Sequence, residues 1–185
     1  MLITHAHPDH LGGLSVWLKN LEIPVYSLAS VDRLLRAIEE PKRAQWQPIF
    51  KNESARAMLK ILKEAGTIGI LADQNTMPEE GAFVDFFGTS ACTTTGIARV
   101  ALHTGAAVVP GYAVWDESLK KYRLRFEPPL ELVKTGNAER DVVENTQQFA
   151  KVIEGIVRKY PEQWVWAHAR WKTRPKGEAA LYPFL

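Results

Sequence analysis

The stretch Gly66-Thr67-Ile68-Gly69-Ile70-Leu71-Ala72-Asp73-Gln74-Asn75 decides the class of fold. Thr67 to Ala72 is apolar and β-branched without polar alternation, the pattern of a strand covered on both faces. It ends in three polar residues, and open α/β sheets place their sites just past the carboxyl ends of such strands. The same three residues are also good turn formers, so position alone leaves both readings open. Upstream, Asn52 or Ser54 can cap a helix with Ala57, Met58, Ile61, Leu62 and Ala65 at helical spacing, and Gly66 stops it. Downstream, a loop with Pro78 and Gly81 leads to Phe83–Phe87, and Thr93 to Thr95 precede a helix from Gly96 to His103. Ala107 to Trp115 reads as a second buried strand, paired as a hairpin with Tyr122 to Phe126. Arg140 to Lys159 is the longest predicted helix, with Val142, Val143, Phe149, Val152, Ile153 and Ile156 inward, and Pro161 opens a last, aromatic-rich helix.

Towards the N-terminus, a short strand ends at Thr4 and a histidine-rich turn runs from His5 to Gly13. Helices over 14–21 and 31–40 flank a strand from Ile23 to Leu28, and Pro41 to Lys51 reads as irregular. Strands alternate with helices, which predicts an α/β layered fold with a mainly parallel sheet. The 185 residues are read as one domain, 1–185.

Composition narrows the function. The chain is 46% hydrophobic and 24% charged with a net charge of +2, a globular mix that argues against a general nucleic-acid binder. From Lys151 onward, however, seven basic residues face three acidic ones. One cysteine, Cys92, permits no internal disulfide. No apolar run approaches the roughly 18 residues of a bilayer span, and the N-terminus is not a signal peptide. The segment Trp164-Val165-Trp166-Ala167-His168-Ala169-Arg170-Trp171-Lys172 interleaves three tryptophans with three basic side chains. Such a mixture suits a membrane interface, or a terminal helix that docks its aromatics on the core and leaves its cations at the surface.

Several stretches resemble the lipid A biosynthesis acyltransferases, the lauroyl/myristoyl transferase family. They are Gly69–Asn75, Gly81-Ala82-Phe83-Val84-Asp85-Phe86-Phe87-Gly88, Thr93-Thr94-Thr95, Ala101-Leu102-His103-Thr104-Gly105-Ala106 with Val108-Val109-Pro110, and Pro161 to Pro175. The resemblance covers about residues 51–175. It implies a layered αβα glycerolipid-acyltransferase-like fold, N-terminally truncated because such enzymes carry an upstream membrane anchor. It also implies transfer of a fatty acyl chain from acyl carrier protein to a hydroxyl of a lipid A precursor, without a metal. The setting it implies is the cytoplasmic face of a Gram-negative inner membrane, with this chain peripheral.

The family's catalytic signature is a histidine, four residues, then Asp or Glu. An imidazole takes the proton of the attacking hydroxyl, and the carboxylate fixes its tautomer. Matching Leu2-Ile3-Thr4-His5 and Leu11-Gly12-Gly13 to the family makes His5 the base. The carboxylate position falls on His10, with Asp9 one residue early. Under the same resemblance, Asp73 and Gln74 organise the site floor or contact the acceptor. Arg99 pairs with a phosphate, with Asp73 or in a structural salt bridge, and Arg170, Lys172 and Arg174 face anionic headgroups. Phe83, Phe86 and Phe87 are expected in the core rather than in an acyl channel.

Residues 1–27 resemble a second family. Thr4-His5-Ala6-His7-Pro8-Asp9-His10-Leu11-Gly12-Gly13 matches the His-x-His-x-Asp-His signature of metallo-β-lactamase-fold hydrolases. That resemblance implies zinc held by His5 and His7, and by Asp9 and His10, with a bridging hydroxide as nucleophile. The alternative functions are therefore a zinc hydrolase fragment joined to an acyltransferase fragment, or a non-catalytic relative that binds lipid or acyl carrier protein.

Overall fold

In the computed structural model, the described residues are 2–3, 25–28, 46–49 and 54–182. The predicted histidine-rich turn and the helices predicted over 14–21 and 31–40 lie outside them. The chain divides into two compact units, residues 1–71 with 104–130, and residues 72–103 with 131–185.

The first unit holds two three-stranded sheets. In one, β2 (Val25–Leu28) lies between β3 (Trp46–Ile49) and β4 (Thr67–Gly69), and both pairings are parallel. In the other, β1 (Leu2–Ile3) runs parallel to β7 (Pro110–Asp116), which pairs antiparallel with β8 (Lys121–Phe126). The predicted hairpin from Trp115 to Tyr122 therefore forms. β3 falls inside a segment expected to be irregular. Helix α1 (Ser54–Lys63) buries Met58 and Ile61, two of the expected inward residues. It closes with the Gly66 N–H on the Ile61 carbonyl (2.8 Å) and the Ala65 N–H on the Leu62 carbonyl (3.1 Å), a Schellman ending. Ala65 takes the left-handed conformation at φ 58°, and a Cβ on Gly66 would stand 2.6 Å from Ile61 Cγ2.

The second unit is built on an antiparallel hairpin, β5 (Gly81–Phe86) and β6 (Thr89–Thr94), followed by α2 (Gly96–Thr104) and the 22-residue α3 (Ala138–Lys159). The hairpin corrects the sequence reading, which saw no strand in the threonine-rich half. Its two-residue turn is Phe87-Gly88, at φ 57° and 75°, which favours glycine at its second position. Phe86, Ala91 and Cys92 are fully buried.

Helix α3 starts at Asn137, whose side chain accepts the Arg140 N–H at 3.1 Å. Its buried stripe is Val142, Asn145, Thr146, Phe149, Ala150, Ile153 and Val157, whereas Val143 is exposed. The stripe includes amides because the helix covers peptide groups. Gln147 accepts the Asp85 N–H (2.7 Å) and donates to the Asp85 carbonyl (2.9 Å), and Asn145 does the same for Val133 (2.9 Å each). Glu154 accepts the Phe87 N–H (2.9 Å) and pairs with Lys151 and Arg158. Burial alone would raise the Glu154 pKa, but these donors outweigh it and hold it at about 2.

The chain is thus mixed α/β, with parallel pairs in the first unit and antiparallel pairs in both units' hairpins. The predicted terminal helix is replaced by two single 3₁₀ turns, Pro161–Gln163 and Trp166–His168. Side chains of this segment hydrogen-bond peptide carbonyls distant in sequence, at Phe86, Ser90 and Cys92. No helix among the described residues is long and apolar enough to cross a membrane.

Candidate functional site

The two segments that stood out in the sequence, Asp73-Gln74-Asn75 and Trp164–Lys172, meet within the second unit. Asp73 is buried, and its Oδ2 accepts the Trp164 indole N–H at 3.3 Å. Its main-chain carbonyl accepts from His168 Nε2 at 3.1 Å, while His168 Nδ1 faces the Val165 carbonyl. Two residues on, Asn75 is held by both ends of its amide. Its Nδ2 donates to Thr173 Oγ1 (2.9 Å), and its Oδ1 accepts the Thr173 N–H (3.0 Å). Gln74, between these anchors, is exposed. The result is a turn fixed on both sides that presents one free-standing amide.

Arg170 ties the same segment to the hairpin. It is 1% exposed, so the expectation that it faces headgroups is corrected. Its Nη1 donates to the Cys92 carbonyl at 2.9 Å and its Nη2 to Thr93 Oγ1, and its guanidinium stands 5.1 Å from the Phe86 ring centre. Burial pushes its pKa down to about 10, and the charge of Asp73 partly restores it. Cys92 lies beside it, and burial pushes that thiol up against the opposing pull of Arg170. An inert structural thiol results.

The tryptophans pack rather than face outward, Trp166 excepted. Trp164 is buried against Phe86 (5.7 Å between ring centres) and His168 (4.8 Å). Trp171 lies 5.7 Å from Phe86 and donates its indole N–H to the Phe86 carbonyl at 3.2 Å. Arg174 donates to the Ser90 carbonyl, pairs with Glu178 and leaves 12% of its side chain exposed. Lys172 alone of the three expected headgroup cations is exposed. The segment thus follows the docked-aromatics reading for Trp164 and Trp171 but buries a cation that reading left at the surface. Of the phenylalanines expected in the core, Phe86 is fully buried and Phe83 and Phe87 are partly so.

Arg99 forms the salt bridge expected as one of its alternatives. It binds Glu139 through both Nη atoms (3.2 and 3.1 Å) and donates from Nε to Thr95 Oγ1 at 3.4 Å. His5, His7, Asp9 and His10 lie outside the described residues. Among the described residues, no group of three or more His, Cys, Asp or Glu could hold a metal ion. Sequence reasoning missed the anchors Trp164, His168 and Thr173, because their partners lie more than 90 residues away and no spacing encodes such pairs.

The structure defines the chain as a mixed α/β protein with a polar turn clasped on both sides. The particular family follows from comparison. Residues 30–173 match the model of the bacterial lipid A biosynthesis acyltransferases, and the chain belongs to that family. It is 33% identical over 136 residues to the lipid A biosynthesis lauroyltransferase of Escherichia coli K12, covering 72% of this chain and 43% of that protein. It is 30% identical over 128 residues to the palmitoleoyltransferase of the same organism (69% and 40%). It is 31% identical over 108 residues to a lipid A biosynthesis acyltransferase of Haemophilus influenzae (58% and 32%). The chain spans less than half the length of these relatives.

Proposed function

We propose that this chain carries the acyl-transfer chemistry of its family, moving a fatty acyl chain from acyl carrier protein to a hydroxyl of a lipid A precursor. The observation that carries the reading is the turn clasped on both sides around exposed Gln74, in a chain of this family. The proposed setting is the cytoplasmic face of a Gram-negative inner membrane, with a layered αβα fold and a mainly parallel sheet.

In this reading His5 takes the proton of the attacking hydroxyl as its oxygen adds to the thioester carbonyl. The carrier's thiol then leaves with a proton returned from the imidazole. Asp9 or His10 orients the ring. Gln74 donates to the acceptor, and Asp73 fixes the turn from below. Arg170 acts through Asp73 rather than by touching substrate. Lys172 and the Arg99–Glu139 pair offer charge at the surface of the same unit.

Transfer of a labelled acyl chain from acyl carrier protein to a lipid A precursor tests the reading. His5→Ala is expected to abolish transfer and His7→Ala to reduce it mildly. Unchanged transfer in His5→Ala contradicts the assignment. The His-x-His-x-Asp-His motif favours a second reading, a zinc site at His5, His7, Asp9 and His10. The acyl-transfer reading uses no metal, and near-stoichiometric zinc, lost in His7→Ala, would favour the metallohydrolase reading.

A further inference from the structure

His168 stands between two carbonyl oxygens. Its Nδ1 faces that of Val165, and its Nε2 lies 3.1 Å from that of Asp73. A carbonyl oxygen only accepts, so each ring nitrogen has to donate. A neutral imidazole carries one N–H and one lone pair, and only the protonated ring donates from both sides. The ring is otherwise packed rather than paired. It stands edge-on to the buried Trp164 indole, with 4.8 Å between centres and 87° between planes. On the turn, the charged group is the Asp73 carboxylate, which accepts the Trp164 indole N–H. On the ring's own segment it is Arg170, whose charge Asp73 supports.

The Asp73 carbonyl belongs to the peptide group that leads into Gln74. That group is planar and trans, so its N–H points opposite to its carbonyl. A hydrogen bond on the carbonyl therefore fixes both the Gln74 N–H and the Cα from which the Gln74 side chain leaves. The bond from Trp164 to the Asp73 carboxylate does not do this, because the peptide plane can still turn about the Cα–C bond. The backbone beside His168 is held under strain. Ala169 takes the left-handed conformation (φ 54°, ψ 56°), which an alanine adopts only against a steric cost. Such strain persists where the surroundings impose it. Here the residues on either side of Ala169 both bind distant main-chain carbonyls, His168 that of Asp73 and Arg170 that of Cys92.

We infer that His168 is the positioning residue of the Gln74 turn and that it works in its doubly protonated form. With one proton gone, a lone pair faces a carbonyl oxygen and is repelled by it. The neutral ring then gives up one of its two contacts and turns out of line, and the Asp73–Gln74 peptide is released. Presentation of Gln74 thus follows the charge on His168. The inference rests on the acyl-transfer reading only for what Gln74 binds.

A pH titration of the 185-residue chain by nitrogen NMR tests it, following the His168 ring and the Gln74 main-chain amide together. The ring signals are assigned by their loss in His168→Gln. The ring and the Gln74 amide are expected to shift with one shared midpoint. Affinity for a detergent-dispersed lipid A precursor is expected to fall about tenfold as pH rises through that midpoint, the size of one lost hydrogen bond. In His168→Gln the affinity is expected to stay at the weaker level at every pH. A Gln74 amide that does not move with the ring overturns the inference. So does a wild type whose affinity is constant through the ring's midpoint, since a merely structural histidine leaves no such step. Where His168→Gln does not fold, the wild-type titration decides alone. A precursor that binds at no pH counts against the acyl-transfer reading, and the shared midpoint still decides the role of His168.

Discussion

Trp164 to Arg174 and Trp115 to Arg125 contain the same ingredients, tryptophan beside lysine and arginine, in opposite settings. In the first, Arg170 is buried on two acceptors, Trp164 and Trp171 give their indole N–H groups to a carboxylate and a carbonyl, and most of the cationic charge is spent internally. In the second, the carboxylates of Asp116 and Glu117 are matched locally by Arg123 and Lys120, while Leu119, Trp115, Lys121 and Arg125 are exposed. Composition singled out the first segment alone as a candidate surface; burial decides that it is a clasp and that the second is a face. A cation is a surface group only where nothing inside the fold needs its hydrogen bonds.

The largest test of that contrast is Arg170→Met against Arg125→Gln in urea unfolding. Arg170→Met leaves two buried acceptors, the Cys92 carbonyl and Thr93 Oγ1, without their donor and is expected to cost about 1–3 kcal/mol for each. Arg125→Gln is expected to stay within about 0.5 kcal/mol. Equal effects would break the comparison. Next come the tryptophans. Trp164→Phe removes the donor to Asp73, for an expected loss of about 1.5–3 kcal/mol, the range of hydrogen bonds to charged groups. The same change at Trp115 removes an exposed contact and is expected to cost about 0.5 kcal/mol or less.

Thr173→Val sharpens the account at the other anchor. It removes the hydroxyl that accepts from Asn75 and is expected to cost about 1 kcal/mol, with Thr173→Ser restoring it. The remaining effect is electrostatic and is read through pH. Glu154 is held at about 2, below its ordinary 4.5, so it favours folding above that ordinary value and loses the contribution as pH falls towards 2. Acid unfolding of Glu154→Gln should accordingly be less steep over that interval than that of the wild type.

The sequence showed most where the pattern is local. The amphipathic α1, the long α3 and the β7–β8 hairpin follow from spacing and turn residues. The β5–β6 hairpin was hidden because β6, Thr-Ser-Ala-Cys-Thr-Thr, lacks the bulky alternation that marks a strand. The terminal helix was overcalled because its aromatics suggested a helix face. Trp164, His168, Arg170 and Trp171 instead reach distant carbonyls and carboxylates, which helical spacing cannot supply. For the candidate site, the Asp73-Gln74-Asn75 turn was visible from its place after a buried strand. The clasp was not, since tertiary hydrogen bonds between Asp73 and Trp164 or Asn75 and Thr173 leave no trace in local pattern.

The most direct test of the central claim, that the clasp presents Gln74 to substrate, is the affinity of the chain for a detergent-dispersed lipid A precursor. Wild type and Gln74→Ala would be compared at matched unfolding midpoints. The account predicts about tenfold weaker binding by Gln74→Ala, the loss of one hydrogen bond to the acceptor, with stability unchanged because the side chain is exposed. Equal affinity in the two proteins would contradict it and leave the turn a purely structural feature.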